Sequence, residues 1–197
     1  MALFHTSVDD AVRCTVEMHR ALERFNADTS EPLTIGVGLN TGKLMLGTIG
    51  GRDRLACNVI GDPVNLAARI EGMTKMYGSR VLLSDATAAK VTVAGPALRR
   101  LDRVVAKGKT KPMTLYEVLD ADPPALRAQK LATKARFEKA LDDLAATRFD
   151  EARAAFADIA RECPDDTAAA ALALRAQTLA TGGVPEGWDG AVRLVDK

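Results

Sequence analysis

The most constraining feature of the sequence is a strand-to-helix junction at residues 58–69, which reads NVIGDPVNLAAR. An apolar run ends at Ile60, and Gly61 breaks it. The pair Asp62-Pro63 then predicts the start of a helix, because Asp is a preferred N-cap and Pro fits the first helical position. The junction therefore predicts a strand that feeds directly into a helix.

The helix after this junction is predicted to bury one face. Its core-facing stripe consists of apolar residues at helical spacing, namely Leu66, Ile70, Met73 and Tyr77. Asn65 and Arg69 lie four residues apart on a neighbouring face, so their side chains can meet. The helix macrodipole does not favour Arg69 near the N-terminus, whereas helix amides, an amide side chain and a guanidinium together suit a phosphate. The alternative is that both side chains are solvated surface residues.

The composition excludes several classes of function. Hydrophobic residues make up 47% of the chain and charged residues 27%, which is typical of a globular protein. A formal charge of +1 creates no broad field for nucleic acid. No apolar run approaches the ~18 residues of a membrane span, and the first residues do not have the pattern of a signal peptide.

The cysteines indicate a reducing, cytoplasmic environment. Cys14, Cys57 and Cys163 are odd in number and scattered, without a CxxC pair. This pattern argues against a disulfide framework and against a zinc site.

The first part of the chain alternates predicted helices and strands. Residues 8–26 have the periodicity of an amphipathic helix. Residues 1–4 resemble the end of a strand whose beginning is absent, and the strand at residues 44–49 is expected to return beside the one at residues 35–39. Further predicted elements are strands at residues 55–60, 80–83, 98–105 and 113–119, and a short helix from residue 85 to about 91 that Ser84 caps.

The pair Pro123-Pro124 marks a predicted domain boundary, which separates residues 1–120 from residues 121–197. The second segment is rich in Ala and predicts three helices. The first two are lined by apolar residues at helical spacing: Phe137, Leu141 and Leu144, then Ala152, Phe156 and Ile159.

The second of these helices resembles the second half of a tetratricopeptide repeat, because Ala152 precedes Phe156 by four residues and Pro164 follows. A single helical hairpin cannot bury both of its faces. We therefore expect it to pack on a third helix, on the preceding domain or on another chain. Trp188 is the expected anchor of the tail.

Four segments in order resemble the second half of a class III nucleotidyl cyclase catalytic domain. They read IGVGLNTGKLMLGTIGG, NVIGDPVNLAARIEG, YGSRVLLSDAT and LDRVVAKGKTKPMTLYEVL, within residues 34–119. The resemblance implies an α/β (α+β) fold, an incomplete ferredoxin-like sheet with helices on one face, followed by a small all-α appendage. It also implies an open sheet edge, which favours dimerisation or strand exchange.

The resemblance implies conversion of ATP to 3′,5′-cyclic AMP and pyrophosphate at a head-to-tail dimer interface. Asn65 matches the asparagine that orients the ribose, and Arg69 matches the arginine that neutralises charge at the α-phosphate. Both residues are candidate catalytic residues of this chain.

Three further residues match or lie near positions that bind substrate in the family. Asn58 matches the base-reading position, where an amide suits adenine or guanine, unless it only pairs with loop backbone. Lys107 matches the phosphate-holding lysine, and Gly108 lets that turn close, although a lysine-rich hairpin tip is often only solvated. Arg52 lies near a position that can touch the terminal phosphates.

The family's two metal-binding aspartates precede the segment that resembles residues 1–4, and nothing here matches them. Asp9, Asp10 and Asp53 do not match metal positions, and Asp62 is better explained as a helix cap. Mg²⁺ or Mn²⁺ is expected for the complete enzyme, with ligands that are not in this chain. We therefore expect a C-terminal fragment of a longer cyclase, or a mis-started or truncated product, that is inactive by itself.

Three hypotheses follow from the sequence. The first is part of an adenylate cyclase that works as a homodimer or with a complementing cyclase domain. The second is an inactive cyclase-like regulatory or scaffold module, and the third is a guanylate cyclase. The expected ligand is ATP or GTP, with no nucleic acid, no membrane segment in this chain, and a protein partner at the C-terminal helices.

Overall fold

A computed structural model describes residues 1–51, 54–92, 97–106, 108 and 110–193. The helices are α1 (Val8–Ala27), α2 (Asp62–Tyr77), α3 (Asp85–Ala88), α4 (Pro124–Ala145), α5 (Phe149–Glu162) and α6 (Thr167–Gly182). The strands are β1 (Val37–Leu39), β2 (Met45–Gly51), β3 (Arg54–Ile60), β4 (Val81–Ser84), β5 (Leu98–Val105), β6 (Met113–Val118) and β7 (Val192–Arg193). The predicted helices and strands lie close to these positions, with one exception. Residues 1–4 are exposed and belong to no strand, since a strand forms only beside a paired neighbour.

Within the described ranges, five strands form a mixed sheet in the order β1–β4–β6–β5–β7. β1 runs parallel to β4, with Val37 opposite Val81, and β7 runs parallel to β5, with Val192 opposite Val104. The other pairs are antiparallel. The predicted class, a sheet combined with helices, is confirmed, and β1 lies at one edge of the sheet.

The prediction that the strand after residues 40–43 returns beside β1 is wrong. Instead β2 pairs with β3 in a separate antiparallel ribbon, in which Met45 lies opposite Ile60. Gly42, in the loop between β1 and β2, packs so closely on Pro63 that a Cβ there would overlap the proline ring. The chain is thereby directed past the start of α2 and away from β1.

Helices cover both faces of the sheet, so the expectation of helices on one face is also wrong. α1 packs Val12 and Val16 against Val81 and Leu83. The opposite face, which carries Leu82, is covered by α2 and the C-terminal helices. Successive residues of a strand point to opposite faces, and every residue of β4 is buried, so both faces need a cover.

The C-terminal helices share a core with this second face. Their predicted lining residues are all buried: Phe137, Leu141, Leu144, Ala152, Phe156 and Ile159. The rings of Phe137 and Phe156 pack edge to face, with centroids 5.2 Å apart. Of the packing alternatives that the sequence left open, the α4–α5 hairpin packs on a third helix, α6, and on the sheet.

Charged residues are buried between the sheet and these helices. Arg99 of β5 is 0% exposed and donates to Glu117 at 2.6 Å and to Asp166 at 2.5 Å. Lys130 of α4 donates to Glu117 at 2.6 Å and to Asp122 at 2.8 Å. Burial alone would raise the pKa of Glu117, but Arg99 and Lys130 outweigh it and lower that pKa. We call these five residues the Arg99 cluster.

The tail folds back onto the helices. Trp188 packs its ring 5.8 Å from that of Phe149 and donates its indole N–H to the carbonyl of Ala191 at 3.2 Å.

Cys14 is an exposed free thiol and Cys163 a buried one. Among the helices of the described residues, none has the length and apolar character that crossing a membrane requires.

Candidate functional site

The start of α2 is held by the loop that follows β1. The side-chain amide of Asn40 donates to the carbonyl of Pro63 at 3.1 Å, and its oxygen accepts from the Ser84 hydroxyl at 2.8 Å. Gly61 is the N-cap, in place of the predicted Asp62, because the Gly61 carbonyl already accepts from the N–H of Val64 at 3.1 Å. No local pattern in the sequence indicates this anchoring contact of Asn40.

Two glycines bring α2 close to the sheet edge. A Cβ at Gly38 of β1 would overlap the backbone of Ala67 and Glu71, and a Cβ at Gly36 would overlap Thr74. Without a side chain at Gly38, β1 meets the backbone of α2 directly, and Gly36, just before β1, leaves room for the Thr74 side chain. The position of α2 is therefore set by β1.

Asn65 and Arg69 lie in the first half of α2, about 6 Å apart along the helix axis. Asn65 is exposed and Arg69 is half-buried. The predicted core stripe beside them is confirmed: Leu66 is partly buried, and Ile70, Met73 and Tyr77 are buried. The stripe fixes the rotation of the helix, so it also fixes the direction in which Asn65 and Arg69 leave it.

Arg69 reaches the turn that follows β5. A Cβ placed on Gly108 would lie 3.9 Å from both Nη1 and Nη2 of Arg69. Gly108 has a φ of +70°, which glycine adopts without strain. The fold therefore brings the guanidinium beside the middle of the Lys-Gly-Lys turn.

The other three predicted binding residues lie wholly or partly outside the residues that the structure describes. Lys107 and Arg52 lie outside the described residues. Asn58 is placed only by its backbone, which pairs with Gly47 in the β2–β3 ribbon, while its side chain is outside the described part. The roles assigned to these three residues stay predictions.

In the part of the chain that the structure describes, no group of three or more His, Cys, Asp or Glu side chains could hold a metal ion. Asp9 accepts from the backbone N–H of Thr92 at 2.9 Å and from its hydroxyl at 2.6 Å, and Asp10 pairs with Arg13. These residues do not fit a site for Mg²⁺ or Mn²⁺.

A family model described as the "Adenylate and Guanylate cyclase catalytic domain" matches residues 4–119. The match covers more than half of the chain, and it includes α1, which precedes the first sequence motif. The chain belongs to the family of adenylate and guanylate cyclase catalytic domains.

Individual relatives carry cyclase names. The chain is 35% identical over 129 residues to an adenylate cyclase of Anabaena cylindrica, a match that covers 60% of the chain and 26% of that protein. It is 30% identical over 161 residues to the terminal-differentiation specific adenylate cyclase of Dictyostelium discoideum, covering 80% of the chain and 8% of that protein. The chain therefore spans about a quarter of the first relative and less than a tenth of the second.

A solved structure shares the fold. The structure of a bacterial light-regulated adenylyl cyclase superposes with a TM-score of 0.50 at 21% identity, over 59% of this chain and 34% of that one. At this identity, the likeness concerns the fold alone.

Proposed function

We propose that this chain forms one wall of an adenylate cyclase site that converts ATP to 3′,5′-cyclic AMP and pyrophosphate. The observation that carries the proposal is the approach of the Arg69 guanidinium to Gly108. A guanidinium beside a glycine flanked by two lysines suits the charge and the close approach of a polyphosphate. Residues 1–120 are the cyclase portion in this proposal, and residues 121–197 are a tetratricopeptide-like helical segment.

Each polar residue of the wall has a distinct task in this proposal. Arg69 neutralises the charge that develops at the α-phosphate when the 3′-oxygen attacks, and Asn65 orients the ribose that carries this oxygen. Lys107 holds the phosphates, Arg52 contacts the terminal ones, and Asn58 contacts the base. Removal of a charge-stabilising donor of this kind costs about 10²–10³ in rate.

A second cyclase domain completes the site. Met45, Leu46 and Ile60 on the β2–β3 ribbon are 71%, 62% and 55% exposed, and Met45 lies opposite Ile60. An exposed apolar group of this kind supports docking of another subunit. A metal ion, Mg²⁺ or Mn²⁺, would supply Lewis-acid chemistry at the completed site, and its carboxylate ligands would come from the partner domain.

A complementation assay tests the proposal. The chain is mixed with a cyclase domain that has both metal-binding aspartates but carries Ala at the positions equivalent to Asn65 and Arg69. We expect cyclic AMP from the mixture in magnesium or manganese, and none from either component alone. Arg69→Ala in this chain lowers the rate of the mixture about 10²–10³-fold. Robust activity of the chain alone contradicts the division of the site, and an inactive mixture of folded components contradicts the function.

The same mixture tests whether the completed site prefers ATP or GTP. The family description names both adenylate and guanylate cyclases, and the amide of Asn58 can donate to or accept from either purine. We expect a higher kcat/KM with ATP than with GTP. The reverse preference identifies the chain as part of a guanylate cyclase.

A further inference from the structure

Asp102 of β5 joins three elements of the fold. Its carboxylate belongs to a residue that is 2% exposed, and it accepts a hydrogen bond from the Tyr77 hydroxyl of α2. It also accepts from both terminal nitrogens of Arg175 on α6, at 2.6 Å and 3.2 Å. Burial, together with the neighbouring Asp102 charge, raises the pKa of Tyr77, so its hydroxyl remains a donor. We call Tyr77, Asp102 and Arg175 the Asp102 node.

An irregularity in β5 directs Asp102 toward this node. The pairing between β5 and β6 shifts register between Arg100 and Asp102. Leu101 belongs to the core that α2 and α6 enclose, and Asp102 contacts the same two helices. In a regular strand these successive residues would point to opposite faces, so the bulge is what places the carboxylate there.

A second contact ties α6 to the end of α2. The Thr167 hydroxyl donates to the carbonyl of Tyr77 at 2.8 Å. Gly78 has a φ of +62°, and a Cβ there would overlap Thr167. The last turn of α2 is therefore fixed by α6 through its backbone as well as through the Tyr77 side chain.

Two elements that meet at the Asp102 node, α2 and β5, also lead to the two groups proposed to bind the phosphates. These groups are Arg69 and the turn that contains Gly108. Arg69 lies two helical turns before Tyr77 on α2, and the turn containing Gly108 begins shortly after Asp102 on β5. These two sides approach each other at Gly108, where a Cβ would lie 3.9 Å from the Arg69 guanidinium. Because a short helix and a strand behave as rigid bodies, a displacement at the node moves Arg69 relative to the turn.

We propose that the Asp102 node is a positioning device of the triphosphate site, and that Arg175 makes the C-terminal helices part of the nucleotide-binding machinery. The inference rests on the proposed function and adds to it. Tyr77, Asp102 and Arg175 do not touch the substrate in this account. They set the distance between Arg69 and the turn that faces it.

A distance measurement tests the node without any enzymatic activity. Nitroxide labels are attached to cysteines introduced at Ala68 on α2 and Thr110 beside the turn, both exposed, in the full chain with its native cysteines replaced. We expect Arg175→Met to shift or broaden the distribution of distances between the labels. The matched control is Arg136→Met, which removes another arginine–carboxylate pair of these helices, to Glu162, and leaves the distribution unchanged. Identical distributions in both variants overturn the proposal.

Kinetics in the complemented mixture give the functional readout. We expect Arg175→Met and the milder Tyr77→Phe to raise the KM for ATP, by about tenfold for Arg175→Met, while Arg136→Met leaves KM unchanged. Partial unfolding would lower only the apparent kcat, so a rise in KM identifies positioning. Arg175→Lys keeps the charge but not the two-nitrogen geometry and recovers part of the loss. If the mixture that contains the unmodified chain is inactive, the result counts against the cyclase function. The distances between the labels then still test whether the Asp102 node positions Arg69. Unchanged KM with wild-type distances in Arg175→Met rejects the node.

Discussion

The Arg99 cluster and the wall around Arg69 use the same residue types in opposite ways. Arg99 is fully buried and has carboxylates from β6 and from the residue before α6 around it, with its guanidinium 4.1 Å from the ring centroid of Phe137. Arg69 is half-buried, Asn65 is exposed, and the Arg69 guanidinium approaches Gly108. The charges of the Arg99 cluster are enclosed in the core, whereas Arg69 remains near solvent at the proposed nucleotide site.

The difference distinguishes charges that the core encloses from charges that remain near solvent. A buried ion pair loses its hydration and is a weak source of stability, but removing one partner leaves an uncompensated charge in the core. A cation at a half-exposed surface loses little hydration, so it can bind and release a ligand. Variants of the Arg99 cluster should therefore affect folding, and variants of the wall should affect ligand binding.

The largest expected effect comes from Arg99→Met, which leaves Asp166 buried without its cation and Glu117 with Lys130 alone. We expect the free energy of unfolding to fall by about 3–5 kcal/mol, measured by urea denaturation. Arg136→Met, at an ion pair exposed on both sides, should leave the midpoint unchanged. If Arg99→Met lowered the free energy of unfolding no more than Arg136→Met does, the distinction between the Arg99 cluster and the region around Arg69 would be lost.

A smaller effect is expected where the wall meets the sheet. Gly38→Ala places a methyl group against the backbone of Ala67 and Glu71 and should lower the free energy of unfolding by about 1–3 kcal/mol. The control is Gly72 on α2, where an added Cβ would have open space around it. Gly72→Ala should be neutral or stabilising because Ala favours helix. Equal unfolding midpoints for the two variants would contradict the close packing of α2 on β1.

The smallest expected effect comes from changing His19 of α1, which is a buried polar residue. Among the described residues, its Nε2 has no hydrogen-bond partner. Burial, followed by the charge of Arg80, lowers the pKa of His19 below its ordinary value of 6.5, against the opposing effects of the Arg80 backbone and Glu23. The unfolded chain then binds the proton more readily, so stability falls as the pH drops below about 6.5 toward the native pKa.

We expect His19→Leu to reduce the loss of unfolding free energy between about pH 7.5 and pH 5.5, measured by urea denaturation at each pH. The exposed His5 supplies the control, since His5→Gln should leave this loss as it is in the unmodified chain. A pH dependence that His19→Leu does not change would show that His19 is not its source.

The sequence predicted the start of α2 better than the Arg99 cluster. The start of α2 follows from local signals, namely a glycine, Asp62-Pro63 and an apolar stripe of period 3.6, and only the cap was misplaced by one residue. The path of β2 depends instead on the packing of Gly42 on Pro63, residues that are distant in the chain. No local pattern reports such a contact, so the return beside β1 was the wrong prediction.

The charged residues of β5 show a second limit. The run LRRLDRVV carries four charged side chains, which sequence reasoning places on an exposed face because charged residues are seldom fully buried. Arg99 and Asp102 are both buried because α4 and α6 cover that face and because the bulge redirects Asp102. Their partners Asp166 and Arg175 lie on a segment that the sequence treats as a separate unit, and pairwise charge complementarity over that separation is invisible in one sequence.

The most direct test of the central claim, that Arg69 and the facing turn grip a triphosphate, is a titration of the folded chain with a non-hydrolysable ATP analogue in magnesium buffer. We predict saturable binding that is weaker by about tenfold or more in Arg69→Ala, since a hydrogen bond to a charged group contributes about 1.5–3 kcal/mol. The absence of a saturable signal, or equal dissociation constants for the two proteins, would contradict the account.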